Sequence, residues 1–278
     1  GRVVRDAEAH DDADSFRLRR RVRTPAVSGI SITWVGHATA LIDIDGYRVI
    51  TDPVLTRRVA HLRRRTPLPP ADTSQVDLAL VSHAHMDHCH LPSLRRLRPG
   101  ATAITTRGAD PLLRGVGFST ITEVDKGETV ETGPITVIAT DAEHRAGRGP
   151  HSRVQAPPIG FVVEAHGTRI YFPGDTDFFE GMAELAPVDV ALLPIWGWGP
   201  SIGSGHLDPV RAAQATALRE PSVVVPIHWG TYAHEDGRRR LPAWFHEPPA
   251  EFRRELERVG EHDRLHCLAP GETLVVSA

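Results

Sequence analysis

Residues 82–90 read SHAHMDHCH and place four histidines and one aspartate in nine positions. They directly follow the apolar run 76–81, which has the length and composition of a buried strand. A solvated polar loop is one interpretation, because the chain has 16 histidines in all. A metal site is the other, because imidazole is a common metal ligand and a strand end holds it rigidly.

Further residues of the ligating types follow other predicted strands. Strands are predicted at 76–82, 101–106, 119–124, 135–140, 159–165, 169–173, 189–194, 222–227 and 273–277. The residues that follow four of these strands are His83, His85, Asp87 and His88, then His144, then Asp175, then His228. Open α/β folds gather ligands at one edge of a sheet, where loops from several strands meet. We therefore expect these side chains to lie together.

Five imidazoles and two carboxylates form a nitrogen and oxygen set that suits a catalytic metal site. Seven ligands are more than one tetrahedral ion uses, so the set predicts two ions about 3.5–4 Å apart with one bridging carboxylate. Alternate residues at a strand exit point the same way, so His83 and His85 can hold one ion. Asp87 and His88 can hold the other. We expect Zn²⁺ in the first place, with Mn²⁺ or Fe²⁺ as alternatives.

The composition is that of a folded globular protein. The chain has 278 residues, of which 40% are hydrophobic and 24% charged, and a formal net charge of -3. No apolar stretch reaches the roughly 18 residues of a transmembrane helix, and two cysteines do not make a disulfide framework. We therefore predict a cytoplasmic protein. A mildly negative charge and the lack of a basic or aromatic binding module argue against a nucleic-acid partner.

Pattern and turn signals predict the organisation of the chain. Residues 1–28 are predicted to be an arm or extended lead-in, whose basic run 17–23 has a phosphate- or membrane-surface patch as its alternative interpretation. Residues 29–278 are predicted to form one domain. It begins with a β-meander whose last hairpin turns at Asp45-Gly46. Residues 57–70 read as a connector, and helices are predicted at 91–98, 208–219 and 249–259. This alternation predicts an α/β layered sandwich.

The motif SHAHMDH, followed in order by DAEH, FPGDTD and PIHWG, resembles the metallo-β-lactamase fold superfamily over roughly residues 30–230. The resemblance implies a four-layer αββα sandwich with a binuclear site. It implies His83, His85 and His144 at the first metal, Asp87, His88 and His228 at the second, and Asp175 as the bridge. Three segments, WVGHATALIDIDGYRVITDPVL, GHLDPVRAAQA and VVVPIHWGTY, are similar to the N-acylphosphatidylethanolamine phospholipase D-like and ascorbate-6-phosphate lactonase-like branch. That branch usually has aspartate where this chain has His90.

Other residues have two open interpretations. His206 can be a proton donor or oxyanion donor for the substrate, or a plain loop histidine. Asp52 can be a turn residue before Pro53 or an acceptor that orients a ligating imidazole. His37 can be a core histidine or a polar group that faces the site. The aromatic residues of 194–200, with Trp229 and Tyr232, can line a pocket or pack in the core. Cys89 is predicted to be an inert thiol.

These features together predict a binuclear metal-dependent hydrolase that attacks with a metal-bound hydroxide. Asp87, Asp175 and His206 are its predicted catalytic residues. The resemblance favours a phosphodiester substrate, small or lipid-like, in a phospholipase D-like reaction. A lactonase acting on a phosphorylated lactone is the alternative within enzymes, and a non-catalytic metal-binding scaffold is the alternative from another class.

Overall fold

The predicted turn Asp45-Gly46 does close a hairpin. In the computed structural model both residues have positive φ, 50° and 91°, as the tight two-residue turn requires. The structure describes residues 29–70, 75–149, 152–185, 187–234 and 240–276. The predicted arm 1–28 lies outside the described residues.

Strands account for most of the regular structure in this part of the chain. In chain order they are β1 (Ile30–Gly36), β2 (Thr39–Ile44), β3 (Tyr47–Thr51), β4 (Arg58–Val59), β5 (Leu62–Arg64), β6 (Leu78–Val81), β7 (Thr102–Thr106), β8 (Thr120–Val124), β9 (Thr129–Thr132), β10 (Ile135–Asp141), β11 (Ile159–Ala165), β12 (Thr168–Phe172), β13 (Val190–Pro194), β14 (Val223–Ile227), β15 (Tyr232–His234) and β16 (Thr273–Val276). The helices are α1 (Leu91–Leu94), α2 (Asp110–Leu113), α3 (Pro209–Arg219), α4 (Ala243–His246) and α5 (Pro248–Val259).

Two mixed sheets and one small sheet form from these strands. The first sheet has the order β16-β1-β2-β3-β6-β7-β8 and the second has the order β14-β13-β12-β11-β10-β9. A cluster of buried side chains from both sheets, with Ile32 and Trp34 on β1 and Phe161 and Phe172 on the second sheet, fills the space between them. The small sheet has the order β15-β5-β4.

Helices cover the outer faces of both large sheets. Ala79 and Val81 of β6 pack under Leu94 of α1 and Leu113 of α2. On the other side, Ala191 and Val224 of the second sheet pack against α3 and α5 through residues such as Ala212, Phe252 and Leu256. The layers are therefore helix, sheet, sheet and helix. The predicted αββα sandwich is confirmed.

Helix α3 begins where its capping signal predicts. The Asp208 side chain accepts a hydrogen bond from the backbone N–H of Arg211, and Pro209 occupies the first turn. Helix α5 was also predicted within one residue. The prediction of a helix over 91–98 was too long, because α1 ends at Leu94 and residues 96 and 97 bond three residues back, to Ser93 and Leu94, as a tighter turn.

The predicted connector at 57–70 contains two strands that were not predicted. Strands β4 and β5 lie there and form an antiparallel pair, and β5 also pairs with β15. These strands have two or three residues, too few to show an alternating pattern, and β5 finds its partner more than 160 residues away. Strand β9 and helices α2 and α4 are short elements that were not predicted either.

The direction of the strands brings the predicted site together. β3, β6, β7 and β8 run parallel in the first sheet. In the second sheet β12, β13 and β14 run parallel, and β10 has the same direction because it is two antiparallel steps from β12. The ends of β6, β10, β12 and β14 thus deliver their following loops to one edge of the sandwich. In the described part of the chain no helix combines the length and apolar character needed to cross a bilayer.

Candidate metal centre

Three histidines from two sheets bring one nitrogen atom each to a common point. His83 and His85 follow β6, and His144 follows β10. Nε2 of His83 lies 3.0 Å from Nδ1 of His85, which in turn lies 3.0 Å from Nε2 of His144. These three atoms belong to one candidate metal-binding group. The structure brings together the three residues predicted for the first ion.

A second group forms beside the first. Nε2 of His88 lies 3.2 Å from Nε2 of His228 and 3.7 Å from Oδ2 of Asp87. Nε2 of His228 lies 4.0 Å from the same Asp87 oxygen. The structure therefore also brings together the three residues predicted for the second ion.

Asp175 lies between the two groups. Its Oδ2 is 3.1 Å from Nε2 of His88 and 4.0 Å from Nε2 of His144. Its Oδ1 is 3.2 Å from Nε2 of His228. The side chain is almost fully buried, so its carboxylate faces both groups and little water. This is the position that a bridging carboxylate requires.

The other ring nitrogens of these histidines point outward to acceptors. His88 Nδ1 donates to Oδ2 of Asp52 at 2.7 Å, His144 Nδ1 donates to the Gly205 carbonyl at 2.6 Å, and His228 Nδ1 donates to the Trp196 carbonyl at 2.8 Å. A proton held at Nδ1 leaves the lone pair of Nε2 directed inward. Each imidazole is thus oriented with Nε2 towards the centre, where it can bind a cation once that nitrogen carries no proton.

Asp52 is both a turn residue and an orienting acceptor. Its φ of 31° places it in the left-handed region directly after β3. Its fully buried carboxylate accepts hydrogen bonds from the Ser82 N–H at 2.7 Å, the Ser82 hydroxyl at 2.6 Å and His88 Nδ1. Ser82 Oγ in turn accepts from Nδ1 of His83 at 2.8 Å. One carboxylate therefore orients a histidine of each group.

Burial and charge set the protonation of the site. Burial lowers the pKa of His228 to about 3 and that of His144 to about 4, so both rings are neutral near pH 7. Burial would also lower the pKa of His88, but Asp175 and two further carboxylates raise it well above its ordinary value. The centre thus attracts positive charge to the place where the carboxylates meet.

The donor set fits divalent cations. Because His228 is neutral with its proton on Nδ1, its Nε2 lone pair faces Oδ1 of Asp175 at 3.2 Å with no proton between them. That oxygen is buried and has no hydrogen-bond partner among the described residues. Two acceptors facing each other in a buried site are unfavourable unless a cation lies between them.

Two more histidines belong to the site. Nε2 of His206 lies 3.5 Å from Oδ2 of Asp175, and its side chain is 24% exposed. Nε2 of His37 lies 3.0 Å from Oδ2 of Asp87, and its carbonyl accepts the N–H of His228. His37 therefore faces the site as well as supporting its backbone. It directly follows β1, so its position at a strand exit was the signal that sequence reasoning undervalued.

Comparison with known proteins places this arrangement in a family. A family model described as a beta-lactamase superfamily domain matches residues 47–229. The chain belongs to the beta-lactamase superfamily. The superfamily predicted from SHAHMDH and its three later motifs is thus confirmed, and its matched range contains the seven predicted ligands.

Several superfamily relatives are similar over most of the chain. An N-acyl-phosphatidylethanolamine-hydrolyzing phospholipase D of Caenorhabditis elegans is 32% identical, in an alignment that covers 74% of this chain and 65% of that protein. A UPF0173 metal-dependent hydrolase of Methanopyrus kandleri is 31% identical over 87% of this chain and 98% of its own. The solved structure of a metallo hydrolase from Ignicoccus hospitalis matches with a TM-score of 0.68 and 26% identity, covering 90% of this chain and 99% of that one.

A cavity of about 320 Å³ opens above the centre in this superfamily member. His85, Asp87, His144, Asp175 and His206 form its floor. Its walls contain the β4–β5 turn, Met86, Arg145, Arg148, Trp198 and Ile202. Of the predicted aromatic wall only Trp198 lines it, since Trp229 stacks on Trp34 at 5.3 Å and Tyr232 is buried.

Two other side chains of SHAHMDHCH, those of Cys89 and His90, do not join the centre. His90 is buried, and its Nδ1 lies 2.7 Å from Oγ of Ser93, in the first turn of α1. Cys89 is fully buried, and burial raises the pKa of its thiol. Since a protonated thiol is a poor nucleophile and ligand, the geometry agrees with the predicted inert Cys89. The Ser82 and Gly205 contacts were not predicted, because a backbone or hydroxyl acceptor has no pattern in the sequence.

Proposed function

We propose that this chain is a binuclear metal-dependent hydrolase that cleaves phosphodiesters. The observation that carries the proposal is the convergence of seven residues of ligating types, above all Oδ1 of Asp175 facing the Nε2 lone pair of His228. A metal-binding scaffold would use the same donors, but the cavity of about 320 Å³ above them, with His206 in its floor, favours an enzyme. The relatives named metal-dependent hydrolase and phospholipase D support the same activity.

Each group of donors would hold one ion. His83, His85 and His144 would hold the first, and Asp87, His88 and His228 the second, with Asp175 shared between them. Divalent ions in such a site lower the pKa of water to about 7 and polarise the substrate's phosphoryl oxygen. We propose Zn²⁺ as the native metal, because it readily binds a mixed imidazole and carboxylate set. Mn²⁺ and Fe²⁺ also accept such a set and are the alternatives.

The protein's own groups position and move protons. Burial would raise the pKa of Asp175, but the neighbouring His228 and His88 lower it to well below its ordinary value. Asp175 therefore stays ionised and can orient the attacking water. Asp87, held by His37, fixes the opposite side of the centre. These two carboxylates set the direction from which water approaches the substrate.

His206 is the proposed proton donor to the leaving group. It lines the cavity, and its Nε2 faces Asp175. Burial lowers its pKa, but the hydrogen bond and charge of Asp175 raise it above the ordinary value. This shift favours the protonated imidazole, the form that can protonate a departing alkoxide.

The cavity has both basic and apolar walls, which suits an anionic substrate with an apolar part. Arg145 is exposed at the rim, and Arg148 donates to the Ala84 and Cys89 carbonyls, where it adds positive charge. Met86 is 43% exposed and lies on the same cavity with Trp198. We propose a small or lipid-like phosphodiester, acted on in the cytoplasm, where Cys89 and Cys267 remain free thiols.

A hydrolysis screen tests this function. The purified protein is assayed with bis(p-nitrophenyl) phosphate and with a panel of lactones, beside an Asp175→Asn variant that shows the same far-UV circular dichroism. We expect phosphodiester turnover that Asp175→Asn abolishes. Turnover of lactones alone would establish the lactonase instead. No turnover of either substrate, or turnover retained in folded Asp175→Asn, would contradict the proposal.

A further inference from the structure

We propose that Asp177, the second aspartate of FPGDTD, is a positioning residue that holds His144 and His206 in place through the Gly205 peptide. The inference rests on the proposed metal centre, because it concerns how His144 is presented to an ion. Asp177 lies two residues after Asp175 and is not among the residues that line the cavity. Its effect on the centre is therefore indirect.

The two carboxylate oxygens of Asp177 have different partners. Oδ2 accepts a hydrogen bond from the N–H of Gly205 at 3.0 Å. Oδ1 accepts from the N–H of Phe178 at 2.8 Å and forms an ion pair with Arg211. The side chain is 20% exposed, so these bonds are partly shielded from water. Asp177 thus joins its own loop to Gly205 and to helix α3.

Gly205 links Asp177 to the metal centre through hydrogen bonds. Its carbonyl accepts the 2.6 Å hydrogen bond from Nδ1 of His144, so the two peptide groups that meet at the Gly205 Cα connect Asp177 and His144. The fit is close, because a Cβ at position 205 would lie 3.0 Å from Nδ1 of His144, and the φ of +83° favours glycine. The next residue is His206. A change in the backbone angles of Gly205 would move both histidines.

Helix α3 and the loop that carries His144 both hold Asp177 in place. Arg211 lies in the first turn of α3, where it also pairs with Asp208, the residue that caps the helix. The N–H of Asp177 donates to the Glu143 carbonyl at 2.9 Å, and the Glu143 N–H donates to the Thr176 hydroxyl at 2.9 Å. The loops after β10 and β12 and the loop before α3 are therefore linked at Asp177.

An Asp177→Asn substitution tests this role. The amide keeps the size of the side chain but cannot accept from both Gly205 and Arg211, so the Gly205 N–H loses its acceptor and the backbone at Gly205 loses a restraint. Asp43→Asn is a matched control, since Asp43 accepts a glycine N–H, that of Gly46 at 2.8 Å, and pairs with Arg48 at 2.8 Å in the β2–β3 hairpin, away from the centre. Its side chain is 30% exposed, a similar fraction.

The readouts are the affinity for Zn²⁺, measured by competition with a chromogenic chelator, the separate values of kcat and KM for bis(p-nitrophenyl) phosphate, and the melting temperature. We expect Asp177→Asn to weaken binding of one Zn²⁺ about 10–100-fold and to lower kcat more than it raises KM, as loss of an orienting partner does. We expect Asp43→Asn to change the Zn²⁺ affinity and kcat by less than twofold. We expect it to lower the melting temperature about as much as Asp177→Asn does.

Different failures have different meanings. Wild-type protein that binds no Zn²⁺ would refute the proposed function itself. Wild-type protein that binds two Zn²⁺ while folded Asp177→Asn matches the Asp43→Asn control in affinity and kcat would overturn only the role of Asp177. Should Asp177→Asn not fold, Gly205→Ala tests the same link, because its methyl group would press on His144. Unchanged Zn²⁺ affinity in folded Gly205→Ala would then overturn the inference.

Discussion

Replacing Asp52 should weaken the centre without any contact to substrate. Its carboxylate is fully buried and accepts from the Ser82 N–H, the Ser82 hydroxyl and His88 Nδ1. Asp52→Ala leaves two buried N–H donors without acceptors, since only the hydroxyl can rotate to a new one. At about 1–3 kcal/mol for each unsatisfied donor, we expect the free energy of unfolding to fall by about 2–6 kcal/mol.

Asp52→Asn separates stability from metal binding. The amide oxygen still accepts from one donor, so we expect a loss of about 1–3 kcal/mol, which leaves a domain of ordinary stability folded. The His88 ring loses its charged acceptor, and we expect the affinity for one of the two ions to fall about 10–100-fold. Urea unfolding of the chelated protein gives the first quantity, and chelator competition gives the second.

Asp77→Asn is the matched control for this prediction. Asp77 lies at the other end of the same strand pair, where its Oδ2 accepts the N–H of Arg48 at 2.9 Å and its Oδ1 pairs with Arg98 at 3.0 Å. We expect it to lower stability while leaving metal affinity unchanged. Equal metal affinity in Asp52→Asn and Asp77→Asn would refute the reasoning, because Asp52 would then only close a turn.

Three further predictions follow from the geometry of the centre. Gly174→Ala should destabilise the protein by about 2 kcal/mol or more in thermal unfolding, because its φ is +64° and a Cβ would lie 2.6 Å from the Ser82 side chain. The free energy of unfolding of the chelated protein should fall as pH drops from about 6.5 towards 4. In this range the histidines of the unfolded chain bind protons, whereas folded His144 and His228, with pKa values lowered to about 4 and about 3, do not. Urea midpoints that stay level across this range would contradict this prediction. His206→Gln should lower kcat about 10²–10⁴-fold for a substrate with an alkoxide leaving group and retain both ions; unchanged kcat would make it a plain loop histidine.

The site was more predictable from the sequence than its surroundings. The residue types and their positions after strands predicted seven residues that the structure brings together, because strand direction brings parallel strand ends to one edge. Their mutual distances and tautomers were not predictable, because these depend on acceptors such as the Trp196 and Gly205 carbonyls. A carbonyl is present at every residue and therefore gives no sequence signal.

The fold shows the same division between local and long-range information. The Asp45-Gly46 turn and the Asp208 cap are local, and both were predicted at the correct residues. The small sheet depends on pairing between residues 62–64 and 232–234, which no local pattern encodes. The same sheet forms part of the cavity wall, so this part of the wall had no local signal in the sequence.

The measurement that tests the central claim most directly is elemental analysis of the purified protein after it is loaded with Zn²⁺ and dialysed. Two tightly bound equivalents of Zn²⁺ per chain are predicted, with phosphodiester turnover that is lost on chelation and restored by Zn²⁺, Mn²⁺ or Fe²⁺. Less than one bound equivalent of any of these metals, with no turnover after metal is added, would contradict the claim that the donors around Asp175 form a binuclear hydrolytic centre.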